Sequence, residues 1–138
     1  MSIALISQDI VDRLKTVSEF NNRVGLAVGG KDIDPFNRDL QRPAAWAVYV
    51  GDDNESETTM NPCSSLIRLN FIVKILVDYG TEAALISTHL PLLHTTVSAI
   101  QGGEPIKGSK WVYEGQGLEA IEPERTIWAQ QYSILTGL

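Results

Sequence analysis

Leu66 to Asp78 is the segment that most constrains the fold. Ile67, Leu69, Phe71, Val73, Ile75 and Val77 alternate with Arg68, Asn70, Lys74 and Asp78. A period of two puts the first set on one face of a β-strand and the second set on the other. An apolar face of that length must be packed against other elements, so the strand belongs inside a sheet. Ile72 and Leu76 interrupt its polar side, which implies that both faces are partly covered.

The flanking segments supply the partners. Ile6, Ile10, Leu14 and Val17 recur at helical spacing, with Ser7 as the expected N-cap and Asn21-Asn22 as the stop. Arg23 to Val28 reads as a short strand ended by Gly29-Gly30, and residues 31–42 as a polar loop. Ala44 to Val50 is an apolar, β-rich run, and Gly51-Asp52-Asp53-Asn54 is expected to open a turn. Ile86, Leu90, Leu93, Val97 and Ile100 form a second helical stripe, with Thr81 or Thr88 as cap and a kink expected near Pro91. Gly102-Gly103 ends that helix. Trp111 to Tyr113 then reads as a short strand, Gly115 to Pro123 as a turn, and Arg125 to Thr136 as the last strand. The order α-β-β-β-α-β-β predicts an α+β fold, a mainly antiparallel sheet flanked by two helices in a single domain over residues 1–138.

Composition narrows the function classes. The chain has 138 residues, is 43% hydrophobic and 20% charged, and carries a net charge of −6. The acidity is spread evenly, −3 in residues 1–69 and −3 in residues 70–138. Neither half is a basic arm, which argues against DNA binding driven by counterion release. Cys63 stands alone and fits a reducing compartment. The apolar runs read as too short for a membrane span, and Met1-Ser-Ile-Ala-Leu5 lacks a signal peptide's basic flank. The expectation is a soluble chain made in the cytoplasm.

The catalytic motifs are absent or broken. Gly25 to Lys31 satisfies G-x-x-x-x-G-K, but Asp32 stands where a phosphate loop needs Ser or Thr, and Pro35 follows too early for a helix. A glycine turn closing a strand explains those residues as well. His89 and His94 are five apart, about 140° around a helix, so they cannot share a metal and read as two polar helix positions. The acid pairs Asp52-Asp53 and Glu122-x-Glu124 read as solvated turns. Trp46, Trp111 and Trp128 lie among apolar neighbours without interleaved cations, which suits core or interface packing better than base stacking. No cofactor is implied, and an interaction protein is expected before an enzyme.

Several strings together resemble the tail-terminator (minor tail) proteins of long-tailed bacteriophages. They are the N-terminal helix followed by Arg23-Val24-Gly25, the Arg42-Pro43-Ala44-Ala45-Trp46 lead-in to a strand, and the long strand Leu66–Asp78. To these are added the helix before Gly102-Gly103 and the pair Trp111-Val-Tyr113 and Ile127-Trp128-Ala129-Gln130-Gln131-Tyr132. The resemblance spans nearly the whole chain. It implies a non-enzymatic virion subunit of the tail or neck, forming a six-fold ring on the head-proximal end of the tail tube. Its implied partners are further copies of itself, the tail tube protein and a head-completion or connector protein. Genome DNA would pass through the channel without specific binding, and no membrane is involved. Another neck component, or a small acidic binding domain or enzyme, are the alternatives.

Two polar segments are the expected contact sites. Asp52, Asp53, Glu55 and Glu57 concentrate negative charge and are the candidate channel or docking loop. Lys31, Asp32, Asp34, Arg38, Asp39 and Arg42 form the candidate subunit or tube contact loop.

Overall fold

The computed structural model describes residues 3–28, 42–54, 66–78, 80–122 and 124–137. In chain order these build α1 (Ile3–Lys15), a 3₁₀ turn (Ser18–Phe20), β1 (Val24–Val28), β2 (Ala44–Asn54), β3 (Leu66–Asp78), α2 (Glu82–Ile100), β4 (Trp111–Ile121) and β5 (Arg125–Gly137). The five strands form one sheet in the order β1-β2-β3-β5-β4, with both helices on one face. The class is α+β in a single domain.

The alternating segment is the middle strand. β3 pairs antiparallel with β5 along its whole length, from Leu66↔Gly137 to Asp78↔Arg125, and with β2 on its other side. All six of its odd-numbered apolar residues are buried in the main core with Ile6, Ile10 and Leu14 of α1, Leu93 and Ile100 of α2, and Trp111 and Tyr132. Each fully buried side chain of this size contributes roughly 1.5–3 kcal/mol. Phe71 packs edge-on against Trp111, with centroids 5.3 Å apart, and against Tyr49. Leu76 is also fully buried, in a second small cluster with Ala44 and Ile127 on the opposite face.

One pairing departs from the antiparallel expectation. β1 runs parallel to β2, Val24↔Ala45 to Val28↔Tyr49. Parallel neighbours need a crossover of a dozen or more residues to carry the chain back to the starting end. The polar segment between β1 and β2 is long enough to serve as that connection. The other three pairings are antiparallel.

Two expected turns are strands. β2 continues through Gly51, Asp52 and Asp53, and β4 runs through Gly115 to Ile121. Both read as turns because glycine and acids are poor strand formers. In each, a bulge absorbs the misfit: the register slips at Val50 in β2 and at Glu114 and Glu119 in β4. Gly51 (φ +145) and Gly115 (φ +139) stand beside the first two bulges in a conformation that side chains disfavour.

The helices hold two corrections of detail. Ser7 is buried inside α1 and is not its cap, since the helix begins at Ile3. Asn21 and Asn22 adopt positive φ after the 3₁₀ turn, as a chain reversal requires. In α2 the irregularity precedes Pro91: residues Leu85–His89 form a π-helical turn between two α-helical parts. Pro91 has no N–H to give the preceding turn, and a wider turn accommodates its ring. Thr81 caps the helix, its Oγ1 accepting from the Ala84 N–H at 3.3 Å. At 19 residues, with a mean hydropathy of 1.2, α2 is long and apolar enough to cross a membrane by length and composition, which corrects the expectation that no segment reaches that size. In this fold its stripe of Leu92, Leu93, Thr96 and Ile100 is buried instead.

A polar brace ties the first helix to β4. The Trp111 indole N–H donates to Asp9 Oδ2 at 2.9 Å, and Arg13 Nε donates to the same oxygen at 2.6 Å. The Arg13 guanidinium lies where a Cβ on Gly103 would sit, so a larger residue there would displace it from Asp9.

Candidate assembly surfaces

Among the described residues, no helix packs on the sheet's second face. β3 presents Arg68, Asn70, Ile72 and Lys74 there, and β2 adds Trp46. The Trp46 indole lies flat over β1, so close that a Cβ on Gly25 would stand 2.6 Å from its ring. Gly25 is therefore the floor for an aromatic ring in an edge strand, not the opening of a phosphate loop.

Charges on this face are tied to one another. Arg68 Nη1 donates to Ser133 Oγ at 3.1 Å, and Ser133 Oγ donates to Glu114 Oε1 at 2.6 Å. Lys74 Nζ pairs with Glu119 Oε1 at 3.1 Å. Glu122 pairs with Arg125 at 2.7 Å just beyond the end of β4. Thus three of the four acids between Trp111 and Glu124 are engaged within the subunit.

The expected contact residues fall unevenly. Asp52 and Asp53 end β2 on opposite faces: Tyr49 donates its hydroxyl to Asp52 Oδ2 at 3.1 Å, and Asn70 Nδ2 donates to Asp53 Oδ2 at 3.0 Å. Both acids are exposed and neither is salt-bridged among the described residues. Burial pushes the Tyr49 phenol above its ordinary value, and the Asp52 carboxylate adds to the effect. Arg42 closes the crossover by an ion pair to Asp78 at the end of β3. Glu55, Glu57, Lys31, Asp32, Asp34, Arg38 and Asp39 lie outside the described residues, as does Cys63.

A surface that the sequence reading missed lies where α2 begins. A cavity of about 240 Å³ opens between Leu85 and His89 of α2 and Leu118, Ile121 and Trp128 of the β4–β5 hairpin. His89 is buried in the π-helical turn, which corrects its reading as a polar helix position; His94 is exposed. The Trp128 indole N–H is buried and has no hydrogen-bond partner among the described residues. The signal that could have found this surface is the pair Leu118 and Ile121, apolar residues inside a stretch read as a polar turn.

Inside the sheet, Gln130 is fully buried, with both polar atoms of its side chain hydrogen-bonded. Its Nε2 donates to the Leu93 carbonyl at 3.0 Å and to Gln116 Oε1 at 2.9 Å, while Tyr132 donates its hydroxyl to Gln130 Oε1 at 2.7 Å. Burial drives the Tyr132 phenol strongly upward, and Tyr113 adds to it. Among the described residues no group of His, Cys, Asp and Glu could hold a metal ion.

No family model and no curated protein matches the chain. Among solved structures, it is similar in fold to a chain of the "Virion of native gene transfer agent (GTA) particle". The identity is 12% and the TM-score 0.56, with 97% of this chain and 98% of that chain covered. Two chains of nearly equal extent thus share one architecture at a sequence distance where little but the fold remains.

Proposed function

We propose that the chain is a structural protein of a phage-like virion, acting as a tail terminator: six copies form a ring on the head-proximal end of the tail tube, stop its growth and offer the surface that docks to the head. The observation that carries this reading is the fold likeness to a virion chain over nearly the full length of both. The sequence resemblance supports it independently. A tail tube that grows by adding equivalent rings shows the same face after each addition, so its end must be covered by a subunit whose outer face does not propagate. Cyclic closure needs two different patches per subunit. The acidic residues Asp52, Asp53, Glu55 and Glu57 face the channel in this reading, where six copies of a −6 chain repel the passing genome and keep it from adhering.

Deleting the gene tests the role directly. Heads should remain intact while tails vary in length and fail to join them. Tails of normal length that join heads would overturn the reading, and normal tails on heads that leak DNA would favour a head-completion protein. Changing the four acids to lysine should leave tails assembled and slow DNA ejection, with relief at high salt. Unchanged ejection with a loss of head joining would make that segment a docking surface instead.

A further inference from the structure

We propose that successive copies in the ring meet edge to edge, with Leu26 of one copy seated in the cavity beside Leu118 and Ile121 of the next. This contact deepens the terminator reading and rests on it.

The sheet presents two unlike edges at one end. A single row of paired residues crosses all five strands, Val24–Ala45–Ile75–Trp128–Leu118, so the start of β1 and the end of β4 lie level with each other. At the strand spacing of a sheet they are roughly 19 Å apart. Both edges carry apolar side chains on the helix-bearing face that the fold leaves uncovered. On β4, Leu118 is 48% exposed and Ile121 is 62% exposed. On β1, Leu26 is 42% exposed although it pairs with fully buried Ala47. The β4 edge has a hollow and the β1 edge has a side chain able to fill it.

Charge decides in favour of a second copy of this chain as the occupant. Beside the cavity, Glu82 and Glu124 are exposed and in no salt bridge among the described residues, leaving −2 once the Glu122–Arg125 pair is set aside. On the β1 side, Lys15 ends α1, which packs against β1 and β2, and Arg23 directly precedes β1. Arg23 donates to the carbonyls of Pro43 and Glu19, which do not cancel its charge. With the Glu19 carboxylate included, these described residues sum to +1. A β4 edge therefore repels another β4 edge and attracts a β1 edge. That selects a head-to-tail contact over a two-fold one, as a closed ring requires. The bulges at Glu114 and Glu119 break the regular edge of β4, so the contact is by side chains and not by an added strand.

Crosslinking tests the contact. In a Cys63→Ser background, Leu26→Cys is combined with Ile121→Cys or with Leu118→Cys, and rings assembled on tail tubes are oxidised. A disulfide needs Cα atoms about 4.4–6.8 Å apart, so the two edges of one copy cannot join. A non-reducing ladder that ends at six copies supports the proposal. Rings visible by electron microscopy without a ladder from either pair overturn this contact and leave the terminator reading standing. A crosslinked species containing the tube protein would assign the cavity to the tube and overturn it as well. No ring at all would remove both. Independently, Glu82→Lys with Glu124→Lys should lower ring yield by ~tenfold, and adding Lys15→Glu should restore most of it. Equal loss with and without Lys15→Glu would contradict the charge pairing.

Discussion

The two faces of the sheet are built from the same strands but by different rules. On the helix-bearing face, β3 offers six apolar side chains that are buried against α1 and α2. On the other face it offers Arg68 and Asn70, joined to residues of the neighbouring strands β5 and β2, and Lys74, which reaches across β5 to Glu119 of β4. The first face is held by volume and the second by pairing. The difference teaches where change is tolerated: a packed face resists any loss of bulk, while a paired face can be rewritten if partners change together.

The sharpest test of that contrast is Phe71→Ala, which should cost about 3–5 kcal/mol in urea unfolding through lost transfer energy and a cavity beside Trp111. Gln130→Ala should cost about 1–3 kcal/mol, since the Tyr132 hydroxyl and the Leu93 carbonyl both lose a buried partner. Gly25→Ala belongs to the open face yet should also cost about 1–3 kcal/mol, because the Trp46 indole must move from its floor. Arg68→Ala should cost about 1 kcal/mol. If Arg68→Ala proved worse than Phe71→Ala, the two faces would have to be exchanged.

Alkaline titration gives the smallest and most selective effect. Tyr132 is held neutral by burial, so its folded pKa lies above the ordinary value of 10.0. At high pH the unfolded chain loses that proton while the folded chain keeps it, and stability falls as pH rises. Stability measured by urea unfolding should be independent of this group below about pH 10 and decline above it. Tyr132→Phe should flatten that decline.

The main face was legible in β3 and α1, whose long apolar periods leave one solution. In α2 only Leu93 and Ile100 of the expected stripe are buried, because the π-helical turn resets the helix. That turn leaves Ile86 and Leu90 exposed while Leu92 and Thr96 turn inward. Trp128, Tyr132 and Ile134 on one side of β5, with Ile127 and Ala129 on the other, were readable for the same reason as β3. The open face was not. Gly51, Asp52 and Asp53, like Gly115 to Ala120, have the composition of turns, and only pairing with a long neighbour extends them as strands. The direction of β1 was equally hidden, because the length of a connection permits a crossover without requiring one. Of the proposed surfaces, Leu118 and Ile121 were visible as residues but not as a place, since the hollow exists only once α2 lies over β5.

The strand order has a consequence for how the subunit comes into being. β5 follows the other four strands in the chain, yet it lies between β3 and β4. Until it emerges during synthesis, β3 has one free side and β4 has no neighbour. The Trp111–Asp9 bond, which spans 102 positions, must wait for β4 to be anchored. Such a topology has high contact order, and the final closure is an insertion rather than an addition. A growing chain is thus kept from presenting a finished β4 edge until its last strand has emerged.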